Sequence, residues 1–543
     1  MTNSQIKVEI QKSKTGFIGG VTVVLVVALA VRVIGLGKYP VSMGIDEIAN
    51  AYNAYTLLTT GHDEWGKVLP VTLRSFNDYK PPVNIYLIVP SIAFFGKTEA
   101  AVRLPTAVLG ALTAVVWAVW VRRWGMGRGV AIAAGLGLAL SPWHINYSRA
   151  TFEAVTALFL VVIGAALFQR WEKGGGKAWA AGAAAMLGLS MWTYHAERLF
   201  VPVLVIYLVL STQCSVLKKA RIFVAVLGVM VIPLMYLAMF TPAVGTRAAA
   251  TSWLREKSLE RILHRGNYGS IWERVWDNDS YLIYRHGLGK YLNYFDVRYW
   301  FWDGLQLTPA GYPDMGLLYL VELPVLALGV VALAQGKKRQ LVPWIILWGL
   351  FGVLPASLTM NEQHGLRALL WWPAFGLILA AGYEYGWEKI KNRRWIAGIW
   401  AAGLVVNLGF GYHMYVNQSF RWLSEYWHYP YKDIATFACR MKDKYENVFV
   451  SEAFGEREQL TGAPQLYLAW YCGGRTDDYV GAIDRPGILV KRPYWPADKT
   501  GHKNSLFIAA PWDFGVDKLS EKEMVKKWYF LDGKLAFVVV ETK

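Results

Sequence analysis

Four residues near the start of the chain have the types that group transfer at a membrane needs. Asp46 and Glu47 are adjacent carboxylates in Gly44-Ile45-Asp46-Glu47, and Tyr79 and Lys80 precede a proline pair in Tyr79-Lys80-Pro81-Pro82. A carboxylate can take the proton of a hydroxyl as that oxygen attacks, because the hydroxyl's own pKa lies far above neutrality. A lysine is a compact point charge that suits a phosphate, and a phosphate leaves well when cations stabilise the charge it gains. Both pairs fall in one polar loop, residues 36–102, of a chain otherwise dominated by apolar runs. Each pair also has a plainer reading. Asp46 opens a helical stretch that runs to Leu58 with Gly61 just beyond, and a carboxylate there serves as an N-cap. Lys80 at a membrane interface would snorkel, held extended by the prolines that follow it.

The elements that must position these residues are set by composition. The chain has 543 residues, of which 55% are hydrophobic and only 17% charged. Soluble domains carry about 25% charged residues, and apolar runs of roughly 20 residues mark bilayer spans. The class is therefore an α-helical polytopic membrane protein. The net charge of +17 does not point to nucleic acid, because the basic residues form short clusters between apolar runs, which is a topology signal. Three cysteines give no disulfide framework. Cys439 and Cys472 could pair if exported, and two free thiols fit the sequence at least as well. The basic N-terminal stretch leads into Phe17 to Gly35, too long for a signal h-region and followed by no small-residue cleavage site, so a retained first helix is expected.

Apolar runs begin near Phe17, Arg103, Gly129, Phe152, Ala178, Leu199, Ile222, Gly316, Leu341, Arg367 and Trp395, predicting about eleven transmembrane helices. Basic clusters lie before the first run (Lys7, Lys12, Lys14), at Arg122, Arg123 and Arg128, at Arg170, Lys173 and Lys177, at Lys218, Lys219 and Arg221, and at two later connectors. All fall on the cytoplasmic side if the N-terminus is inside and Val83 to Phe95 does not cross. That run is short and interrupted by Pro90, so it is expected to be re-entrant or interfacial. The loops 36–102 and 242–315 are then outside, with short turns and the tail. The predicted organisation is a membrane domain over 1–415 and a small extracytoplasmic α/β domain over 416–543, in a multi-pass plasma-membrane protein. In the tail, Tyr431 to Lys444 has helical spacing, and Asn447–Ser451, Leu506–Ala510 and Leu535–Glu541 read as buried strands. No Gly-rich Lys-Ser/Thr phosphate loop is present, which argues against an ATP-driven pump.

Further ionisable residues gather at the outside helix ends. Arg103, in Ala-Val-Arg-Leu-Pro, opens a span, where a charge is expensive unless paired. It is expected to pair with Asp46 or Glu47, or to add a phosphate contact. Tyr147, Arg149 and Glu153 follow Ser141-Pro142; Tyr194, His195 and Arg198 surround Glu197; His364 and Arg367 follow Asn361. One such cluster is ordinarily an interfacial anchor, but three on one face read as a substrate site. Asp277-Asn278-Asp279 has the spacing of a divalent-metal motif, yet it lies in an aromatic-rich loop rather than at a strand end. Ile48, Ala51, Tyr52, Tyr55 and Leu58 form an apolar stripe, so the Asp46 helix is expected to lie along the membrane surface.

These motifs, taken together over Phe17 to Tyr415, resemble the GT-C-fold glycosyltransferases that use polyprenyl-phosphate sugars, the protein O-mannosyltransferases and the aminoarabinose transferase of lipid A. The resemblance rests on Asp46-Glu47, Lys80-Pro81-Pro82, Arg103-Leu104-Pro105, Ser148-Arg149 with Glu153, and His364 with Arg367. It implies Asp46 and Glu47 as catalytic residues, with Asp46 the base. It implies Lys80, Arg103 and Arg367 at the donor phosphate, and Tyr79, Tyr147, Arg149, Glu153, Tyr194, His195, Arg198 and His364 at the substrates. Many O-mannosyltransferases carry His where Lys80 stands, so the match is closer to the bacterial branch. The family usually has Asp where this chain has Glu153. The implied donor is an undecaprenyl- or dolichyl-phosphate sugar, and the implied acceptor is an extracytoplasmic protein, lipid or glycan. A single displacement would invert the anomeric centre and a double displacement would need a second carboxylate as nucleophile; the residues leave both open, and the resemblance implies inversion. No cofactor is required, and a divalent metal has only the 277–279 motif to hold it. The rival readings are a pyrophosphate-dependent ligase or oligosaccharyltransferase, and a lipid or solute transporter. The latter predicts ionisable residues near the midplane and repeated halves with broken helices, neither of which is present.

Overall fold

The computed structural model describes residues 3–75, 78–212, 220–241, 249–260, 270–305, 310–311, 313–360, 363–455, 460–480, 487–515 and 523–543, with isolated positions 245, 263 and 519. Asn361, Tyr312 and the Lys218–Lys219 pair lie outside the described residues. The chain divides into two compact units: residues 1–34, 76–84 and 105–412, and residues 35–75, 85–104 and 413–543. The second unit joins the tail to most of the first polar loop, a wider unit than the expected 416–543.

Every apolar run predicted to span is helical. The helices include α1 (Asn3–Val33), α2 (Ile45–Thr60), α3 (Pro82–Phe95), α4 (Glu99–Arg123), α5 (Arg128–Leu140), α6 (Pro142–Ser148), α7 (Glu153–Glu172), α8 (Lys177–Met191) and α9 (Glu197–Ser211). Among the described residues six helical stretches are long and apolar enough to cross a membrane: Thr15–Val33, Glu99–Arg123, Glu153–Glu172, Arg221–Phe240, Arg339–Ser357 and Arg394–Trp422. Pro82–Phe95, Arg128–Leu140 and Leu320–Ala334 are apolar but shorter. At 14 residues, α3 rises about 21 Å, short of a hydrocarbon core of about 30 Å.

In the first unit, tryptophans form an edge-to-face ladder inside the helices: Trp117 meets Trp372 and Trp120, and Trp120 meets Trp344, with ring centres 5.2–5.5 Å apart. An unpaired polar group in hydrocarbon costs several kcal/mol; the indole N–H groups of Trp117 and Trp372 have no hydrogen-bond partner among the described residues, whereas the Asn84 amide is engaged through both its nitrogen and its oxygen. Asn84 donates to the carbonyl of Thr151 (3.0 Å) and accepts from the hydroxyls of Thr156 (2.9 Å) and Thr106 (3.4 Å). Gly110 lets α4 approach α6, because a Cβ there would lie 2.7 Å from Cβ of Ser148.

The second unit contains a five-stranded sheet in the order β6-β3-β7-β9-β8. The strands β1 (Leu73–Ser75) and β2 (Asp78–Lys80) precede it in the chain. Its members are β3 (Asn447–Val450), β6 (Gly487–Val490), β7 (Ser505–Ala509), β8 (Met524–Tyr529) and β9 (Leu535–Thr542). The short antiparallel pair β4 (Ala453–Phe454) and β5 (Leu460–Thr461) stands apart. β3 runs parallel to β6 and β7, with Val448 opposite Ile488 and Leu506, and β9 runs antiparallel to β7 and β8. The three strands expected from sequence are β3, β7 and β9. β3 and β7 are buried along their whole length, as the continuous apolar runs of parallel interior strands require. The expected helix is observed over Tyr431–Met441. It buries Tyr431, Ile434, Ala435 and Ala438, the i, i+3, i+4, i+7 stripe of a core-facing helix. Cys439 is disulfide-bonded to Cys472, with Cα atoms 5.7 Å apart. The bond ties this helix to the end of a second one, Pro464–Tyr471.

Candidate active site

Asp46 occupies the first turn of α2. The N-cap is Gly44, in an extended conformation and with no side-chain cap, so Asp46 does not take the N-cap role that its position suggested. Both acids do sit where the helix dipole favours negative charge. Gly61 closes the helix in a left-handed conformation, φ 73°, as its place in the sequence predicts.

The two acids diverge in environment. Asp46 is half-buried, whereas Glu47 is 3% exposed. Arg103 Nε donates to Glu47 Oε1 at 3.1 Å and Nη2 to Oε2 at 3.0 Å. Its remaining donors go to the carbonyls of Leu36, Pro40 and Ser42 at 2.9–3.0 Å. Every guanidinium nitrogen of Arg103 is thus taken by the protein, and the side chain is fully buried. Of the two roles considered for Arg103, the structure contains the pairing with Glu47. The same contacts build the Glu47 carboxylate into the frame that carries Asp46.

The stripe on α2 was expected to face a membrane surface; protein covers it except at Leu58, which is exposed. Ile48, Ala51 and Tyr52 are buried, and the helix Pro464–Tyr471 packs on α2, with Trp470 edge-on to Tyr55 at 6.1 Å. The ammonium of Lys97 lies 4.0 Å from the Tyr55 ring and 5.0 Å from that of Trp470. The Tyr467 hydroxyl donates to the carbonyl of Met43, and the Trp427 ring lies 3.7 Å from where a Cβ of Gly44 would be. Glu99 accepts from Lys432 and from Tyr471, each at 2.8 Å. His428 is buried among Tyr431, Phe454 and Tyr467. Burial pulls its pKa down to about 4 against the charge of nearby Asp46, so at neutral pH it is an uncharged ring. The tail of the chain thus holds both flanks of the Asp46 turn.

Sequence reasoning passed over Glu64. Asn53 follows Asp46 by seven residues, on one side of α2. Its side chain accepts from the backbone N–H of Glu64 (3.0 Å) and donates to the Glu64 carboxylate (3.4 Å), which also accepts from the Ser75 hydroxyl (3.2 Å). Burial raises the Glu64 pKa to about 7, the hydrogen bonds opposing and Asp63 adding to the rise. The signal was weak in sequence, a lone Glu in His62-Asp63-Glu64-Trp65.

In the first unit, Lys80 ends β2 and is 4% exposed, with Tyr79 half-buried beside it. Arg149 donates to the carbonyls of Val31, Arg32 and Ile34 at 2.8–3.0 Å, capping the end of α1 with a cation that suits its dipole. Arg32 bonds the carbonyl of Ala139 (2.8 Å) and Nδ1 of His144 (3.0 Å). Glu153 opens α7. Tyr147 is buried edge-on to Phe152 at 5.6 Å. Arg198 donates to the Met191 carbonyl (3.1 Å) and meets His195 Nδ1 (2.9 Å).

The 364–367 turn is drawn to the same region. Trp143 donates to the carbonyl of Gly365 at 2.9 Å, and the backbone N–H of His364 donates to the Tyr294 hydroxyl at 3.0 Å. Burial raises the Tyr294 pKa, with Arg367 and Tyr194 close enough to act on it electrostatically. Tyr299 packs edge-on to Tyr294 at 5.6 Å and feels Tyr147 in the same way. So Tyr147, Tyr194, His364 and Arg367 share one neighbourhood with Tyr294 and Tyr299, which the sequence offered only within a broad aromatic stretch. Nη1 of Arg367 is buried there without a hydrogen-bond partner among the described residues. The 277–279 motif forms a junction: Asp277 ends one helix, and Asn278 caps the next by accepting from Tyr281 N–H at 2.9 Å. Among the described residues no group of three His, Cys, Asp or Glu could hold a metal.

Residues 79–238 match the family described as dolichyl-phosphate-mannose-protein mannosyltransferase. No curated protein sequence matches the chain. The structure is similar to that of ArnT from Cupriavidus metallidurans bound to undecaprenyl phosphate, with a TM-score of 0.53 and 16% identity over 97% of this chain and 98% of that one. The apo state of the same protein gives 0.51 and 16% over 98% of both chains. The fold is GT-C, in a multi-pass membrane protein.

Proposed function

We propose that this protein transfers a sugar from a polyprenyl-phosphate carrier to an acceptor hydroxyl outside the cell membrane, with inversion. The observation that carries this reading is the unequal use of the acidic pair. Arg103 consumes Glu47 and so fixes the first turn of α2, while Asp46 stays half-buried on that fixed turn. Asp46 takes the proton of the acceptor hydroxyl as its oxygen bonds to the anomeric carbon. The bond from that carbon to the phosphate oxygen breaks, and the carrier leaves as polyprenyl phosphate with the electron pair. Lys80, and Arg367, whose Nη1 has no partner among the described residues, supply the positive charge that the leaving phosphate needs. The carrier class is supported by the family match and by the undecaprenyl phosphate bound to ArnT, which has the same fold. The extracytoplasmic placement of the tail is supported by its disulfide, since such bonds persist in oxidising compartments.

The test is transfer by the purified full chain in lipid, given polyprenyl-phosphate sugars and a hydroxyl acceptor. Asp46→Asn keeps the side chain's shape but cannot take the proton. It should lower the transfer rate by about 10²–10⁴ with donor binding retained. Activity above a tenth of wild type would remove Asp46 from this role.

A further inference from the structure

A cavity of about 540 Å³ opens within the first unit, lined among others by Arg123, Gln169, Glu172, Lys173, Tyr207 and Trp344. Its walls are the C-terminal ends of α4, α7 and α9 and the start of the 339–357 stretch. α7 has 20 residues between Glu153 and Glu172, a rise of about 28 Å. The cavity therefore lies nearly a bilayer's thickness from the end of α7 where Arg149 and Glu153 sit, at the end that carries Arg122, Arg123, Arg170 and Lys173. It is separate from the cluster around Arg149 and Glu153.

We propose that this cavity binds the headgroup of an aminophospholipid, taking its phosphate on Arg123 and Lys173 and its ammonium on Glu172. The walls suit an amphiphile at an interface. Trp124, Trp344 and Tyr207 pack edge-to-face with ring centres 5.3–5.6 Å apart, a rigid aromatic rim of the kind that lies at headgroup depth. Phe168 and Leu208 line the apolar side. Lys173 sits 5.9 Å from the Trp124 ring centre. Both cations stand exposed at the rim, and basic pockets between membrane helices are where lipid phosphates bind. Gln169 accepts from Trp120 Nε1 at 3.2 Å, which fixes its amide and leaves the N–H groups as donors. The lining also explains why a purely anionic headgroup fits less well. Glu172, which accepts from the Thr212 hydroxyl at 3.4 Å, would repel it. Three helix C-termini converge here, and the negative ends of their dipoles favour an ammonium and disfavour added negative charge.

The test uses native mass spectrometry and thermal melts of the delipidated full chain in detergent. Phosphatidylethanolamine, phosphatidylcholine, phosphatidylglycerol or inorganic phosphate is added in turn. Phosphatidylethanolamine should be retained and should raise the melting temperature most. Phosphatidylcholine should act less, because its quaternary ammonium cannot donate. Arg123→Ala with Lys173→Ala should abolish the preference. Glu172→Gln should lose selectivity over phosphatidylglycerol while still binding lipid. The melt of each variant without lipid reports folding separately. Equal shifts from all three lipids, a full shift from inorganic phosphate alone, or unchanged selectivity in folded variants would overturn the proposal.

Discussion

Arg103 and Glu47 form a bidentate ion pair, 3.0 and 3.1 Å across its two arms, at a site closed to solvent. Removing one partner of such a pair leaves a bare buried charge and costs about 3–5 kcal/mol. Arg103→Ala should therefore lower the melting temperature steeply and abolish transfer with it. Glu47→Ala combined with Arg103→Ala should melt higher than Arg103→Ala alone, because no charge is then left unpaired. A double variant no more stable than the single one would show that the three carbonyls held by Arg103, rather than its charge pairing, account for the loss.

Lys80 and Arg367 are expected to act on the donor. Lys80→Ala and Arg367→Ala should each raise KM for the polyprenyl-phosphate sugar more than KM for the acceptor, with the melting temperature little changed. Arg367→Lys should recover part of the loss, since it keeps the charge but not the planar fork. Equal effects on both substrates would return either residue to an anchoring role.

Much of this arrangement could be read from the sequence. Apolar runs predicted the six described helical stretches that are long enough to cross a membrane, because a chain in hydrocarbon must satisfy its backbone within each segment, but not the short helix Pro142–Ser148 or the helix Asp279–Asn293. Continuous apolar runs predicted β3, β7 and β9. Gly61 announced the end of α2. Partners set by tertiary contact were beyond reach. Asp46 and Glu47 are equivalent as letters, and only the approach of Arg103, 56 residues on, separates them. The stripe on α2 was correctly seen as apolar, but periodicity does not say what covers it. Here Pro464–Tyr471 covers it, contributed by a segment more than 400 residues away. Tyr294, Tyr299 and Glu64 lacked a local motif, and their relevance comes from burial and neighbours alone.

Glu64 should give the protein a pH-dependent stability. Its folded pKa of about 7 lies above the ordinary value of about 4.3. Between those values the folded state holds the proton that the unfolded state has lost, so stability falls as pH rises through the window. Glu64→Gln removes the ionisation while keeping an acceptor for Asn53 and Ser75. It should raise the melting temperature at pH 8 relative to wild type and leave it nearly unchanged at pH 4. Equal shifts at both values would mean that the carboxyl ionises as freely in the fold as out of it.

The disulfide should matter to catalysis through packing rather than chemistry. Cys439 and Cys472 are 33 residues apart, and closing a loop of that size stabilises a fold by about 3–4 kcal/mol. The bond joins the helix Tyr431–Met441 to the helix Pro464–Tyr471. The latter bears Tyr467 on the Met43 carbonyl, Trp470 on Tyr55 and Tyr471 on Glu99. These contacts hold the segment from which Asp46 projects. Cys439→Ser with Cys472→Ser should lower the melting temperature, and reductant should do the same to wild type. Below the melting transition kcat should fall more than donor affinity, because the base loses its fixed position while the residues assigned to the phosphate lie in other segments. An unchanged kcat in a double variant with a lowered melting temperature would show that the tail stabilises the fold without positioning Asp46.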